Sequence, residues 1–129
     1  MRRALIRLAS TREGQSGAAA VEFAFILPAF VMLIVGAIFT AQMMYAASSL
    51  RYAAEAAARC ASINTGTCSS NSATPTYAAS KYTGPASPAP TFVSSSAACG
   101  HSVTGSLTYA LNTGVKTINV PLSAAACFP

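Results

Sequence analysis

The chain has 129 residues, room for one ordinary domain but not for a multi-domain enzyme or a repeat array. Charged residues make up 9% of it and apolar residues 53%, whereas a soluble globule carries about a quarter charged, which argues against an independent cytosolic domain. The acids are Glu13, Glu22 and Glu55, Asp is absent, and His101 is the one imidazole. Catalysis needs converging carboxylates or imidazoles, so no catalytic residue, metal site or cofactor is expected.

The net charge of +5 is spread in a way that excludes nucleic acid as a partner. Arg2, Arg3, Arg7 and Arg12 stand against Glu13 in the first 17 residues. After them, Arg51, Arg59, Lys81 and Lys116 are scattered among Glu22 and Glu55 with no basic cluster or interleaved aromatics. The basic start reads instead as a membrane-orientation signal.

In chain order, residues 1–17 form a basic leader. Residues 23–41, FAFILPAFVMLIVGAIFTA, are strongly apolar, and at about 1.5 Å per residue they reach about 29 Å, close to the hydrocarbon thickness of a bilayer. A single span is expected, with the leader left in the cytoplasm. Pro28 should loosen or kink it near its start, where a bend can help lateral packing, or is simply a tolerated membrane proline. The helix should continue, because residues 42–61 hold Ala, Met, Leu, Arg and Glu with no Gly or Pro. Glu55 and Arg59 suit an i,i+4 pair, and Met43, Leu50, Ala54 and Ala57 can share a stripe. Asn64 and Gly66 mark the end, so the helix is expected over 18–62.

Residues 63–129 are expected outside the membrane. Pro75, Pro85, Pro88 and Pro90 argue against a regular helix in the Ser/Thr/Ala/Pro-rich stretch 61–102, which reads as a loop with one short strand near 91–93. A hairpin follows. Val103, Leu107, Tyr109 and Leu111 alternate with polar or small residues, Asn112-Thr113-Gly114 supplies a turn, and Ile118, Val120 and Leu122 alternate again. A four-residue loop, residues 112–115, sets Tyr109 opposite Ile118 and Leu107 opposite Val120. Pro121 makes the last strand an edge, and the apolar face should lie on the helix.

Cys60, Cys68, Cys99 and Cys127 imply two disulfides in an oxidising compartment, with three connectivities open. Cys60 and Cys68 bracket the helix-ending turn. Cys99 falls opposite Phe128 in the hairpin register, one bulge from Cys127. The favoured pairs are therefore Cys60–Cys68 and Cys99–Cys127. A zinc site lacks a Cys-x-x-Cys pair and a second His.

Glu22 is costly at the mouth of a span and calls for a cationic partner, unless it simply snorkels to the interface. If the chain is cut after Gly17, the new Ala18 amine is that cation, one helical turn away or on a neighbouring subunit. The stretch Gly17-Ala18-Ala19-Ala20-Val21-Glu22-Phe23, placed between a basic leader and an apolar helix, resembles a type IV prepilin signal. Ala after the cut site and the Glu-Phe pair resemble the Flp/Tad branch, and the stretch onward through Leu27-Pro28 to Ile63 resembles the TadE-like pseudopilins.

The resemblance implies an α+β, pilin-like fold: a long N-terminal transmembrane helix, then a small disulfide-bonded exterior domain containing a β-hairpin. It implies a minor pilin rather than a bare-helix major Flp pilin. A prepilin peptidase would cut between Gly17 and Ala18, with Glu22 and Phe23 serving recognition and assembly. Other pilins and the Tad assembly platform would be its partners. Its place would be the bacterial inner membrane, single-pass, N-terminus cytoplasmic and C-terminus periplasmic, until it is lifted into a pilus. The alternative from a different class is an unprocessed single-span anchor with a binding domain outside. A secreted protein with a Sec signal fits less well, since the apolar run is long for an h-region.

Overall fold

The computed structural model describes residues 2–112 and 116–129, and side chains from residue 17 onward. Its elements are a helix α1, Arg2–Ile63, a short helix α2, Ala73–Lys81, and three strands, β1 Thr91–Ala97, β2 Gly100–Asn112 and β3 Thr117–Phe128. The fold is α+β. By contacts the chain forms two units, Met1–Ile38 and Phe39–Pro129.

The first unit is helix throughout its described length, and α1 continues through Pro28. The Gly17–Ile63 part of α1 contains a window long and apolar enough to cross a membrane, and none of that window is buried by protein. Bulky side chains stand outward there, Phe25 at 80% exposure and Met32 at 76%.

In the second unit a three-stranded antiparallel sheet in the order β1-β2-β3 packs one face on α1. Helix formers without a Gly or Pro keep α1 intact to Ile63, where the Asn64 amide still reaches the Cys60 carbonyl at 2.8 Å. The inward stripe is Leu50, Ala53, Ala54, Ala57 and Ala58, all fully buried. Two layers form over it. Ala54, Ala57 and Ala58 meet Ala78 of α2 and Val103 of β2, with Tyr77, Phe92 and Phe128 at the margins. Leu50 meets Leu107 and Tyr109, flanked by Met43, Leu122 and Ala124. Small helix residues let the sheet approach closely. Gly105 completes the fit, for a Cβ there would lie 2.6 Å from the Phe92 ring and 3.0 Å from a Leu50 methyl.

Several expectations need correction. Pro75 does not prevent a helix: it lies in the first turn of α2, where its missing N–H has no intrahelical partner to lose. Ser70 supports that start, since its hydroxyl accepts from the Ala73 amide at 3.1 Å and its carbonyl from Thr74. The strand near 91–93 extends to Ala97, because β2 has two edges of backbone groups to satisfy and one partner strand covers only one of them.

The hairpin register also differs, by two steps. Tyr109 pairs with Val120 and Leu107 with Leu122, and the ladder ends at Asn112 with Thr117. The even shift keeps both apolar faces together. It also sets Leu111 opposite Ile118, where the expected register would have set it opposite Lys116. Of the expected turn at 112–115, residues 113–115 lie outside the described residues. β3, which carries Pro121, is an edge strand.

The cystines sit in contrasting places. Cys60–Cys68 is buried and closes the turn after α1. Cys99 lies in the two-residue turn between β1 and β2, not on a strand opposite Phe128, and bonds Cys127, which pairs with Ser102 on the exposed face of the sheet. Gly100 follows that turn at φ +115°, and a Cβ there would collide with the Phe128 carbonyl.

Candidate processing and assembly site

Gly17, Ala18, Glu22 and Phe23 all lie on α1 and all are exposed. The Gly17–Ala18 bond is inside the helix. A Cβ added to Gly17 would meet nothing within 4 Å, so packing does not explain a glycine there. Its effect is on the backbone, since Gly weakens a helix interior by about 1 kcal/mol relative to Ala. Ala18 and Glu22 stand four residues apart and share one face of the helix. No side chain among the described residues pairs with Glu22.

The second unit carries its few charges on helices and at strand ends. Arg51 Nε donates to Glu55 Oε1 at 3.1 Å, so the expected Glu55–Arg59 pair is replaced by one running the other way along α1. Arg59 instead lies over the Phe128 ring, 5.4 Å from its centroid, and Lys81 lies 5.1 Å over Tyr77. The C-terminal strand is thus pinned to α1 at two points, the second being the Ser62 hydroxyl donating to the Pro129 carbonyl.

Residues after α2 are latched to the helix in a way the sequence reading missed. Tyr45 donates its hydroxyl to the Thr83 carbonyl at 2.8 Å, and the Thr83 amide donates to Ser49 Oγ at 2.8 Å. The signal was weak: polar Ser49 breaks an apolar stripe, which a buried acceptor explains. Next to this latch, the Tyr82 hydroxyl is buried without a partner, and burial, aided by Tyr45, raises its pKa above the ordinary 10.0.

A cavity of about 580 Å³ opens beside the latch, lined by Gln42, Tyr45, Thr83, Pro88 and Tyr109 among others. Within this lining Tyr109 donates its hydroxyl to Gln42 Oε1 at 2.9 Å. Among the described residues no three His, Cys, Asp or Glu side chains stand close enough to hold a metal.

The arrangement therefore offers an apolar helix entered by an exposed Gly-Ala and Glu-Phe, followed by a cystine-closed sheet. Comparison with curated proteins and with solved structures gives no match. Residues 17–59, about a third of the chain, which take in Gly17, Glu22, the apolar window and the buried alanine stripe, match the model of the family described as TadE-like protein.

Proposed function

We propose that the chain is a minor pilin, or pseudopilin, of a Tad-type pilus, a structural subunit and not an enzyme. The observation that supports this most is the TadE-like match, which begins at Gly17, the residue after which the leader would be cut. A prepilin peptidase removes residues 1–17 on the cytoplasmic side. The helical state of the Gly17–Ala18 bond means that this bond unwinds to enter the peptidase, and Gly17 lowers the cost of unwinding. The mature subunit stays as a single span, N-terminus in, with residues 63–129 in the periplasm, until the Tad assembly platform lifts it.

Glu22 then serves assembly. Its carboxylate accepts the Ala18 amine of a neighbouring pilin as the two helices meet, which offsets the cost of a charge at the mouth of a span. Intact mass of the membrane-extracted protein tests the reading: residues 1–17 should be missing, and Gly17→Val should retain them. A mature chain that still begins at Met1 beside an active peptidase supports the unprocessed anchor instead. Glu22→Gln should insert and be cut normally but co-purify poorly with other pilins. Undiminished co-purification would make Glu22 a snorkelling bystander.

A further inference from the structure

The second unit includes residues 39–41, the last of the apolar run, so its bilayer end is marked within the unit itself. Strand β2 runs back toward that end. A Cβ on Gly105 would lie 3.0 Å from Leu50, and the Tyr109 hydroxyl reaches Gln42 Oε1 at 2.9 Å. From residue 105 to 109 the strand advances about 13 Å, and from 50 back to 42 the helix covers about 12 Å, so β2 descends alongside α1. The pair Leu111–Ile118 lies two residues further, about 7 Å nearer the bilayer than Tyr109 and past the level of Ala41, where the apolar run ends.

Leu111 shares the inward face of the sheet with Leu107 and Tyr109, and Ile118, paired with it, shares that face too. Yet Ile118 is 49% exposed. The inward apolar row thus runs on after the protein that covers it has stopped. The rest of this end has matching chemistry. Tyr45, one turn past the apolar run, is half exposed, and tyrosine rings favour the boundary between bilayer and water. Lys116 stands just before β3, and a lysine there reaches lipid phosphates while its stem lies on apolar surface. Glu55, the one acidic side chain of this unit, stands about 20 Å from Gln42 along α1, away from anionic headgroups.

From this placement we propose that the end of the β2–β3 pair nearest residues 39–41 is a lipid contact, with Leu111 and Ile118 entering the boundary between headgroups and acyl chains. It presupposes residues 23–41 as the span, and so rests on the membrane reading of α1. Two apolar side chains would hold a soluble protein only weakly on a bilayer. Here the span already keeps them at the surface, so the contact acts on orientation and fixes how the exterior unit stands on the membrane.

The chain has no Trp, so single tryptophans report depth. The test uses the full chain in phosphatidylcholine vesicles, with or without brominated acyl chains that quench a nearby indole. Leu33→Trp sets the quenching expected in hydrocarbon. Ile118→Trp should lose about a third or more of its emission to brominated lipid and be shielded from aqueous iodide. Val93→Trp carries the same ring on an exposed strand position near the far end of the unit, and should lose none while remaining open to iodide. Tryptophan suits a strand, so both variants should keep the sheet. Quenching at Leu33 without quenching at Ile118 overturns the lipid contact and leaves the span standing. No quenching at Leu33 removes the span and the contact with it. Shielding of Ile118→Trp from iodide without quenching by lipid means that protein covers this end, and the proposal fails. Equal quenching at Val93 and Ile118 means that the unit lies on the bilayer by another face, and it fails again.

Discussion

Two stretches of one helix treat their side chains in opposite ways. From residue 17 to residue 38 the large apolar groups of α1 point outward and nothing among the described residues covers them, whereas from Ala46 onward six of the nine buried positions are alanine, the others being Ser49, Leu50 and Cys60. A fluid hydrocarbon adapts to any bulky side chain, so a span needs only to be apolar. A sheet docked on a helix has fixed shape, so the helix must be small where the strands cross it. Hydrophobicity thus marks the membrane stretch, and side-chain size marks the packed one.

Matched leucines give the largest test of that contrast. Leu50 is 1% exposed and Leu33 is 69% exposed. Leu50→Ala should destabilise the second unit by about 3 kcal/mol, through lost transfer energy and a residual cavity, read as a lower denaturant midpoint in detergent. Leu33→Ala should leave that midpoint unchanged and alter only membrane partitioning. Equal effects would show that the two stretches share one packing environment.

The cystines come next. Replacing Cys99 and Cys127 by Ser, which releases a closure spanning 28 residues, should cost about 3 kcal/mol, and replacing Cys60 and Cys68, 8 apart, somewhat less. The order of reduction should follow exposure, with mild reductant and alkylation labelling the exposed Cys99 and Cys127 before the buried pair. A smaller effect is expected from Gly105→Ala. Its methyl would press on Phe92 and Leu50, so a cost of about 1–2 kcal/mol in the same denaturant assay measures how tightly sheet and helix are joined.

The smallest effect concerns Tyr82. Its folded-state pKa is raised, so its contribution is fully present below the unfolded value of 10.0 and is lost as pH rises beyond it. Stability should therefore be flat with respect to this group at neutral pH and fall on the alkaline side. Tyr82→Phe should blunt that fall. At pH 7 it should be neutral or slightly stabilising, because the hydroxyl it removes is buried without a partner.

How much of this was legible in the sequence depended on whether the signal was local. The span and the alanine stripe follow from runs and periods along one element, and the inward faces of β2 and β3 from alternation. What escaped depended on partners distant in sequence. β1 after Val93 is mostly serine, a turn-like composition that becomes strand only because β2 offers it a free edge. Pro75 looks like a breaker until its place in the first turn of α2 is known, and the bond from the Ala73 amide to Ser70 that marks this start shows only in the fold. Alternation alone does not fix the register, since both registers keep the apolar faces together and only the slide by two steps gives Leu111 an apolar partner, Ile118, in place of Lys116. Thr83, which ties the connection to α1 through Tyr45 and Ser49, carries no local mark at all.

The cystine connectivity also sets how the chain responds to tension. A pull between α1 and the last strand reaches Cys127, and the 28 positions from there back to Cys99 are held behind a covalent bridge. At about 3.5 Å of extended length per residue, that bridge withholds on the order of 100 Å of contour, and the 8-residue closure at Cys60 withholds a further stretch of about 28 Å. Oxidised, the unit can lengthen by paying out the chain between Cys68 and Cys99 but not the bridged segments, so under tension it behaves as a short tether with a built-in stop. Reduction removes the stop, and single-molecule pulling would register the difference as extra length released per event.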